Sequence, residues 1–264
     1  MGRMFVPHHR WRELYDCIAQ ARKTLEAPVD TIGCDRLHDK AAPREDQRYQ
    51  MLLALMLSAQ TRDQMTAQAM RNLREYGCTP RSIRRAPLDV VTELIRGVCF
   101  HNNKAKHIKE ATARLLKDFD GVVPSDIAAL VSLPGVGPKM AHLFLQCADG
   151  KVEGIGVDVH VHRIAGRFQW VPSSVKTPED TRKALESWLP RELWGGVNSM
   201  LVGWGQTVCL ARNSKCGECP AASLCPSAFK ECGRPVRPRT SSPSSDIEDI
   251  GDRAETRRTR RRTS

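Results

Sequence analysis

Leu133-Pro134-Gly135-Val136-Gly137-Pro138-Lys139 is a stretch with few ways to fold. Two glycines two apart let the backbone turn tightly and leave its N–H groups uncovered by side chains. Pro138 suits the first turn of a following helix, which would put those donors at a helix N-terminus. Such a place attracts an anion such as a phosphate without reading sequence. A lone G-x-G is weak, because many helix–helix turns contain one and a plain structural turn is the alternative. The flanking sequence decides between them.

On both sides the chain reads as amphipathic helices. Trp11 to Leu25 carries Leu14, Ile18, Ala21 and Leu25 at helical spacing, and Gln47 to Leu57 is apolar enough for a buried helix. Thr61 reads as the N-cap of another, with Gln64 completing a capping box. Lys104 to Phe119 places Ile108, Ala111, Leu115 and Phe119 on one face, and Ser125 reads as the cap of a helix running to Val131. Thr177-Pro178 opens one that ends near Trp188. Val157, Val159 and Val161 alternate like a strand over too short a span to seed a sheet. The class is all-α. An L-P-G-V-G-x-K turn between amphipathic helices is the pattern of a helix–hairpin–helix element that binds DNA.

The chain has 264 residues, with 41 Lys+Arg against 30 Asp+Glu and a formal net charge of +11. That excess predicts a polyanionic partner, most simply nucleic acid. The longest uncharged apolar run, Met51 to Leu57, is too short to span a bilayer, so no membrane role is expected. The N-terminus has no secretory pattern, which predicts an intracellular protein. Residues 233–264 hold nine arginines against five acids and no apolar period, which reads as a disordered basic tail. That is +4 of the total, so the body carries +7 of its own. The cluster from Arg257 to Arg262 suits a nuclear import signal, a phosphate-binding arm or a merely solvated end.

Cys17, Cys34, Cys78, Cys99 and Cys147 are scattered singly and read as small buried hydrophobes. Cys209, Cys216, Cys219 and Cys225 follow C-x6-C-x2-C-x5-C, with Cys232 beyond them. Four thiolates on one short segment can close around a [4Fe–4S] cluster or a structural zinc. Two charged residues stand out elsewhere. Lys139 would lie in a helix's first turn, as a nucleophilic amine or as an ordinary phosphate contact. Asp158, between valines, could cap the next helix, face a developing positive charge, or do both. His160 and His162 read as structural hydrogen-bonders.

Leu133 to Ala141, Val157 to Arg163 (V-D-x-H-V-H-R) and the cysteine pattern closely resemble the endonuclease III family of DNA glycosylases. The resemblance takes in Met51 to Asp63 and Glu192-Leu-Trp-Gly195 and covers roughly residues 28 to 230. P-K-M-A-H at Pro138 and W-L-P-R-E-L-W at Trp188 look like the eukaryotic members. It implies two helical domains with a DNA-binding cleft: a six-helix barrel over residues 42–150, and a cluster domain from 1–41 plus 151–232. It also implies a bifunctional enzyme that removes oxidised pyrimidines such as thymine glycol and then cuts the strand by β-elimination. Lys139 matches the catalytic lysine and Asp158 the catalytic aspartate, while the four cysteines match the [4Fe–4S] ligands. Gln60 matches the residue that fills the gap left by the flipped base. Phe100 sits where relatives place an apolar wedge, although Cys99 stands where they usually carry Gly. Gly135, Val136 and Gly137 match the DNA-holding hairpin. The partner implied is double-stranded DNA bearing an oxidised pyrimidine or an abasic site. A monomer is expected, in the nucleus, with the mitochondrion left open as a second place.

Three rivals predict different residues. Adenine-removing relatives lack the lysine and carry a glutamate where Ala54 aligns; 8-oxoguanine glycosylases lack the cluster cysteines. A non-catalytic DNA binder with a zinc centre would be colourless and would not trap covalently on DNA.

Overall fold

The structure is a computed structural model that describes residues 5–230. The basic tail and Cys232 lie outside the described residues. Among the described residues every regular element is helical, as the patterning predicts.

Two hydrophobic cores organise the helices. The first is enclosed by α3 (Arg44–Ser58), α4 (Asp63–Tyr76), α5 (Pro80–Arg85), α6 (Leu88–Leu94), α7 (His101–Asp118), α8 (Ile127–Ser132) and α9 (Pro138–Asp149). Leu52, Leu57, Met70, Ile83, Ile108 and Phe144 fill it, all fully buried. Each such side chain contributes about 1.5–3 kcal/mol of burial, enough to fix helices as short as α5 and α8 that would not persist alone. The second core gathers α1 (Trp11–Arg22), α10 (Val159–Arg167), α11 (Pro178–Glu186) and α12 (Trp194–Thr207) around Leu14, Ile18, Ile164, Trp170 and Trp204. A short α2 (Pro28–Ile32) lies between α1 and α3 in the chain.

Polar bonds tie the cores together. Gln146 on α9 donates to Gly195 O of α12 at 2.7 Å. Gln206 on α12 donates to Asp63 Oδ2 at 2.7 Å and accepts from Val29 N at 3.0 Å. Within the first core, buried Arg48 pairs with Asp149, donates to Val123 O and Ser125 Oγ, and stacks 5.0 Å over Phe144. That network joins the start of α3 to the end of α9.

Two local expectations need correction. Thr61 is not an N-cap: α4 starts at Asp63 after Arg62, and the Thr61 hydroxyl donates to Ala59 O at 3.1 Å instead. Ser125 is displaced as a cap by Asp126, whose carboxylate accepts from Ala129 N at 2.8 Å, while Arg48 holds Ser125 Oγ. The valine alternation belongs to no strand, because Val159 and Val161 lie in α10, where Val161 is buried and Val159 is 64% exposed. Thr177 does cap α11, accepting from Asp180 N.

Candidate active site and nucleic-acid interface

The hairpin of the opening stretch joins α8 to α9. Gly135 has φ +75°, and a Cβ there would come within 2.8 Å of His107 on α7, so both backbone and space demand glycine. Gly137 is the N-cap of α9, with nothing within 4 Å of where a Cβ would stand. Pro138 occupies the first helical position. The Val136 side chain is buried in the first core, and its N–H closes the turn onto Leu133 O at 3.1 Å. The N–H groups of Gly135, Gly137, Lys139 and Met140 have no backbone acceptor among the described residues. This cluster of donors at a helix N-terminus is what an anion binds.

Lys139 follows in the first turn of α9, half-buried, and its ammonium makes no hydrogen bond or ion pair among the described residues. Its charge reaches the Cys34 thiol, whose pKa is raised by burial and only partly offset by Ser58 and Lys139. Asp158 caps α10. Its Oδ1 accepts from His160 N at 2.8 Å and Val161 N at 2.9 Å, while Oδ2 accepts no hydrogen bond among the described residues. One oxygen is thus pinned and the other left for a different partner. His160 beside it has a lowered pKa, first through burial, with Asp158 and Asp63 pulling it up and Arg163 down. Asp63 acts electrostatically on both Cys34 and His160, so it links the surroundings of Lys139 and Asp158. His160 and His162 are structural as expected: Arg163 bonds His160, and His162 shares a hydrogen at 2.6 Å with Thr181.

Gln60 and Phe100 stand on turns of their own. Both are exposed, Phe100 by 56%, and both hold left-handed backbone, at φ +52° and +57°. For a bulky residue that conformation costs about 1–3 kcal/mol and is kept where the surroundings impose it. Cys99 is exposed next to the Phe100 turn. At Ala54, where adenine-removing relatives carry an acid, a fully buried methyl sits in α3.

Cys209, Cys216, Cys219 and Cys225 face one another at the edge of the second core. Burial first, and then the other three sulfurs, raise the Cys219 thiol to about 11, and Cys225 is raised likewise. Ligation to a metal would reverse this, since a coordinating thiol is deprotonated. Arg167 Nη1 donates to Cys209 Sγ at 3.3 Å and also to Leu210 O and Ser214 Oγ. No three ligand-type side chains among the described residues converge tightly enough to hold a single ion. Four sulfurs on one loop, one of them met by a guanidinium donor, are a donor set that an iron–sulfur cluster or a single zinc can use.

Sequence reading missed Asp63, Gln206 and Arg167, whose roles come from elements remote in the chain. It also missed Lys104, for which a signal existed: a lysine in the apolar i, i+4 row of Ile108.

Residues 53–191 match the family described as HhH-GPD superfamily base excision DNA repair protein. Endonuclease III-like protein 1 of Mus musculus is 49% identical over 218 residues, covering 83% of this chain and 73% of the mouse protein. Endonuclease III homolog 1, chloroplastic, of Arabidopsis thaliana is 42% identical, covering 91% of this chain and 63% of that protein. A solved non-covalent endonuclease III–DNA complex superposes with a TM-score of 0.74 at 27% identity, over 86% of this chain and 98% of the other. A trapped endonuclease III–DNA covalent intermediate gives 0.72 at 27% identity, over 86% and 99%.

Proposed function

The chain belongs to the endonuclease III family of the HhH-GPD superfamily, DNA glycosylases of base excision repair, and on that premise we propose that it removes oxidised pyrimidines from duplex DNA and cleaves the strand as an AP lyase. The observation that carries this reading is the pair at two helix N-termini: the unpaired ammonium of Lys139 and the half-used carboxylate of Asp158.

The damaged nucleotide must leave the stack to be reached. The hairpin N–H groups hold a backbone phosphate without regard to sequence, Gln60 fills the gap and Phe100 wedges the stack. The neutral amine of Lys139 attacks C1′, forming the C–N bond as the glycosidic bond breaks and the base leaves with its electron pair. Asp158 Oδ2 takes the proton that the amine loses or faces the positive charge growing on the sugar. Ring opening gives a Schiff base between C1′ and Nζ. Loss of a C2′ proton then expels the 3′ phosphate, and water releases the lysine.

Cys209, Cys216, Cys219 and Cys225 would hold a [4Fe–4S] cluster, with Arg167 bonding the Cys209 sulfur. Bound there, it would supply a structural or redox-responsive anchor, because four cysteine ligands leave no open position for substrate. Nuclear residence is proposed on the Arg257 to Arg262 cluster.

Borohydride trapping on a duplex with one thymine glycol tests the reading. An adduct with the wild type and none with Lys139→Gln is the expected result. An adduct with both would move the nucleophile to another amine, and an adduct with neither would leave a monofunctional glycosylase.

A further inference from the structure

Lys104 is 5% exposed, in the first turn of α7, and its charge is not left bare. Its Nζ donates to Leu57 O at 2.9 Å, to Ala59 O, and to Thr61 Oγ1 at 3.2 Å. Ala59 and Thr61 flank Gln60 on either side, and the Thr61 hydroxyl returns to Ala59 O at 3.1 Å. The ammonium therefore closes a ring of bonds around the turn that presents Gln60. It also meets carbonyls at the C-terminal end of α3, where the helix dipole favours a cation. Lys104 also stands one helical turn after Phe100, its N–H making the first i→i−4 bond of α7 to Phe100 O at 3.0 Å, so its ammonium fastens the Gln60 turn to the helix that Phe100 opens. Gln60 and Phe100 are the two exposed left-handed residues of the interface, and one residue bonds both turns.

We propose that Lys104 is a positioning residue that holds Gln60 and Phe100 at a fixed separation, so that gap-filling and wedging occur as one event. It touches neither DNA nor the reacting sugar. Its contribution lies in discrimination: a duplex with a missing base accepts both side chains at once, and an undamaged duplex accepts neither. A lysine that merely capped α3 would affect all DNA equally. The inference rests on the roles proposed above for Gln60 and Phe100.

The test measures affinity for a duplex with a stable abasic analogue and for the same duplex undamaged, in the whole 264-residue chain. Lys104→Met keeps the apolar stem and removes the ammonium. It is expected to lower the ratio of the two affinities about tenfold, within the range for directly coupled contacts, with undamaged binding changed less than about twofold. Lys104→Arg restores most of the ratio by returning donors to the same carbonyls. Gln60→Ala, which lowers the ratio in the wild type, should lower it little further in Lys104→Met. An unchanged ratio in Lys104→Met overturns the proposal, as do independent multiplying losses in the double variant or an equal loss on both duplexes. Should Lys104→Met fail to fold by circular dichroism, Thr61→Val removes one acceptor beside Gln60 and must lower the ratio in the same direction; no change there overturns it equally. A wild type that does not distinguish the duplexes would instead remove the proposed function on which the inference stands.

Discussion

Helices α9 and α10 begin in opposite ways. α9 starts at Gly137-Pro138 with no side chain over its N-terminal donors, no acid in its first turn, and a lysine where the dipole least favours a cation. α10 starts on Asp158, whose carboxylate caps two N–H groups. One end is left electrostatically incomplete and the other is satisfied from within. The incomplete end is what a phosphate can complete, and the satisfied end is a rigid mount for one carboxylate oxygen. The contrast also bears on charge: the hairpin donors have no acceptor over them, whereas the Asp158 carboxylate already accepts from two N–H groups.

Substitutions at these two starts separate chemistry from stability. Lys139→Gln is expected to abolish borohydride trapping and lower single-turnover strand cleavage by about 10³-fold or more. The same change removes a cation from a helix N-terminus, so the melting temperature should rise by the equivalent of about 0.3–1 kcal/mol. Asp158→Asn and Asp158→Ala should each lower base release by about 10²–10⁴-fold. They differ in the melt: Asn is as good an N-cap as Asp, whereas Ala costs about 1 kcal/mol. If Asn and Ala melt together below the wild type, the capping half of the comparison is wrong.

Much of this contrast is legible in the sequence, and the reasons are local. Gly135 and Pro138 constrain the backbone by themselves, and an Asp placed before a helix has few roles other than a cap. The cysteine spacing likewise needs no tertiary information. What local pattern could not supply is competition. Thr61 has the right chemistry to cap α4, but its hydroxyl is engaged with Ala59 O and with Lys104, 43 residues away. Ser125 yields the capping place to Asp126, and its hydroxyl instead accepts from Arg48, 77 residues earlier. The Val136 N–H, one of the hairpin's, is engaged by the turn bond to Leu133 O. Lys104 shows itself in the sequence only as a lysine in an apolar row, and which carbonyls it reaches, like the sulfur that Arg167 reaches, is set across the fold.

The two hairpin glycines sharpen the reading of the α9 start. Gly135→Ala forces a side chain into positive φ and against His107, so it should cost about 1–3 kcal/mol in a thermal or denaturant melt. It should also weaken undamaged duplex binding, because the turn that aims the donors is deformed. Gly137→Ala meets no atom within 4 Å and has ordinary negative φ, so its stability cost should stay below about 1 kcal/mol. Its methyl nevertheless stands beside the uncovered N–H groups. Duplex affinity should therefore fall several-fold with the fold intact, and the salt slope of binding should flatten if a phosphate contact is lost. Unchanged affinity in Gly137→Ala would place the phosphate elsewhere.

The smallest effect concerns acid. His142 on α9 is buried, its Nδ1 has no partner among the described residues, and its pKa is lowered first by burial and then by Arg182. His160 on α10 is also lowered by burial, but Asp158 beside it favours the charged form. A histidine whose folded pKa lies below its ordinary value near 6.5 binds fewer protons folded than unfolded. Its stability contribution is therefore complete above that value and is lost as pH falls through the folded pKa. Melting temperature should hold level from pH 8 to 7 and decline on the acid side, each such group adding a slope of at most about 1.4 kcal/mol per pH unit. His142→Gln and His160→Gln should each flatten that decline, because burial is the first cause of both shifts. Acids oppose burial at both: Glu186, Glu179 and Glu153 favour charged His142, as Asp158 and Asp63 favour charged His160. An acid-side decline left unchanged in both variants would mean that neither histidine carries it.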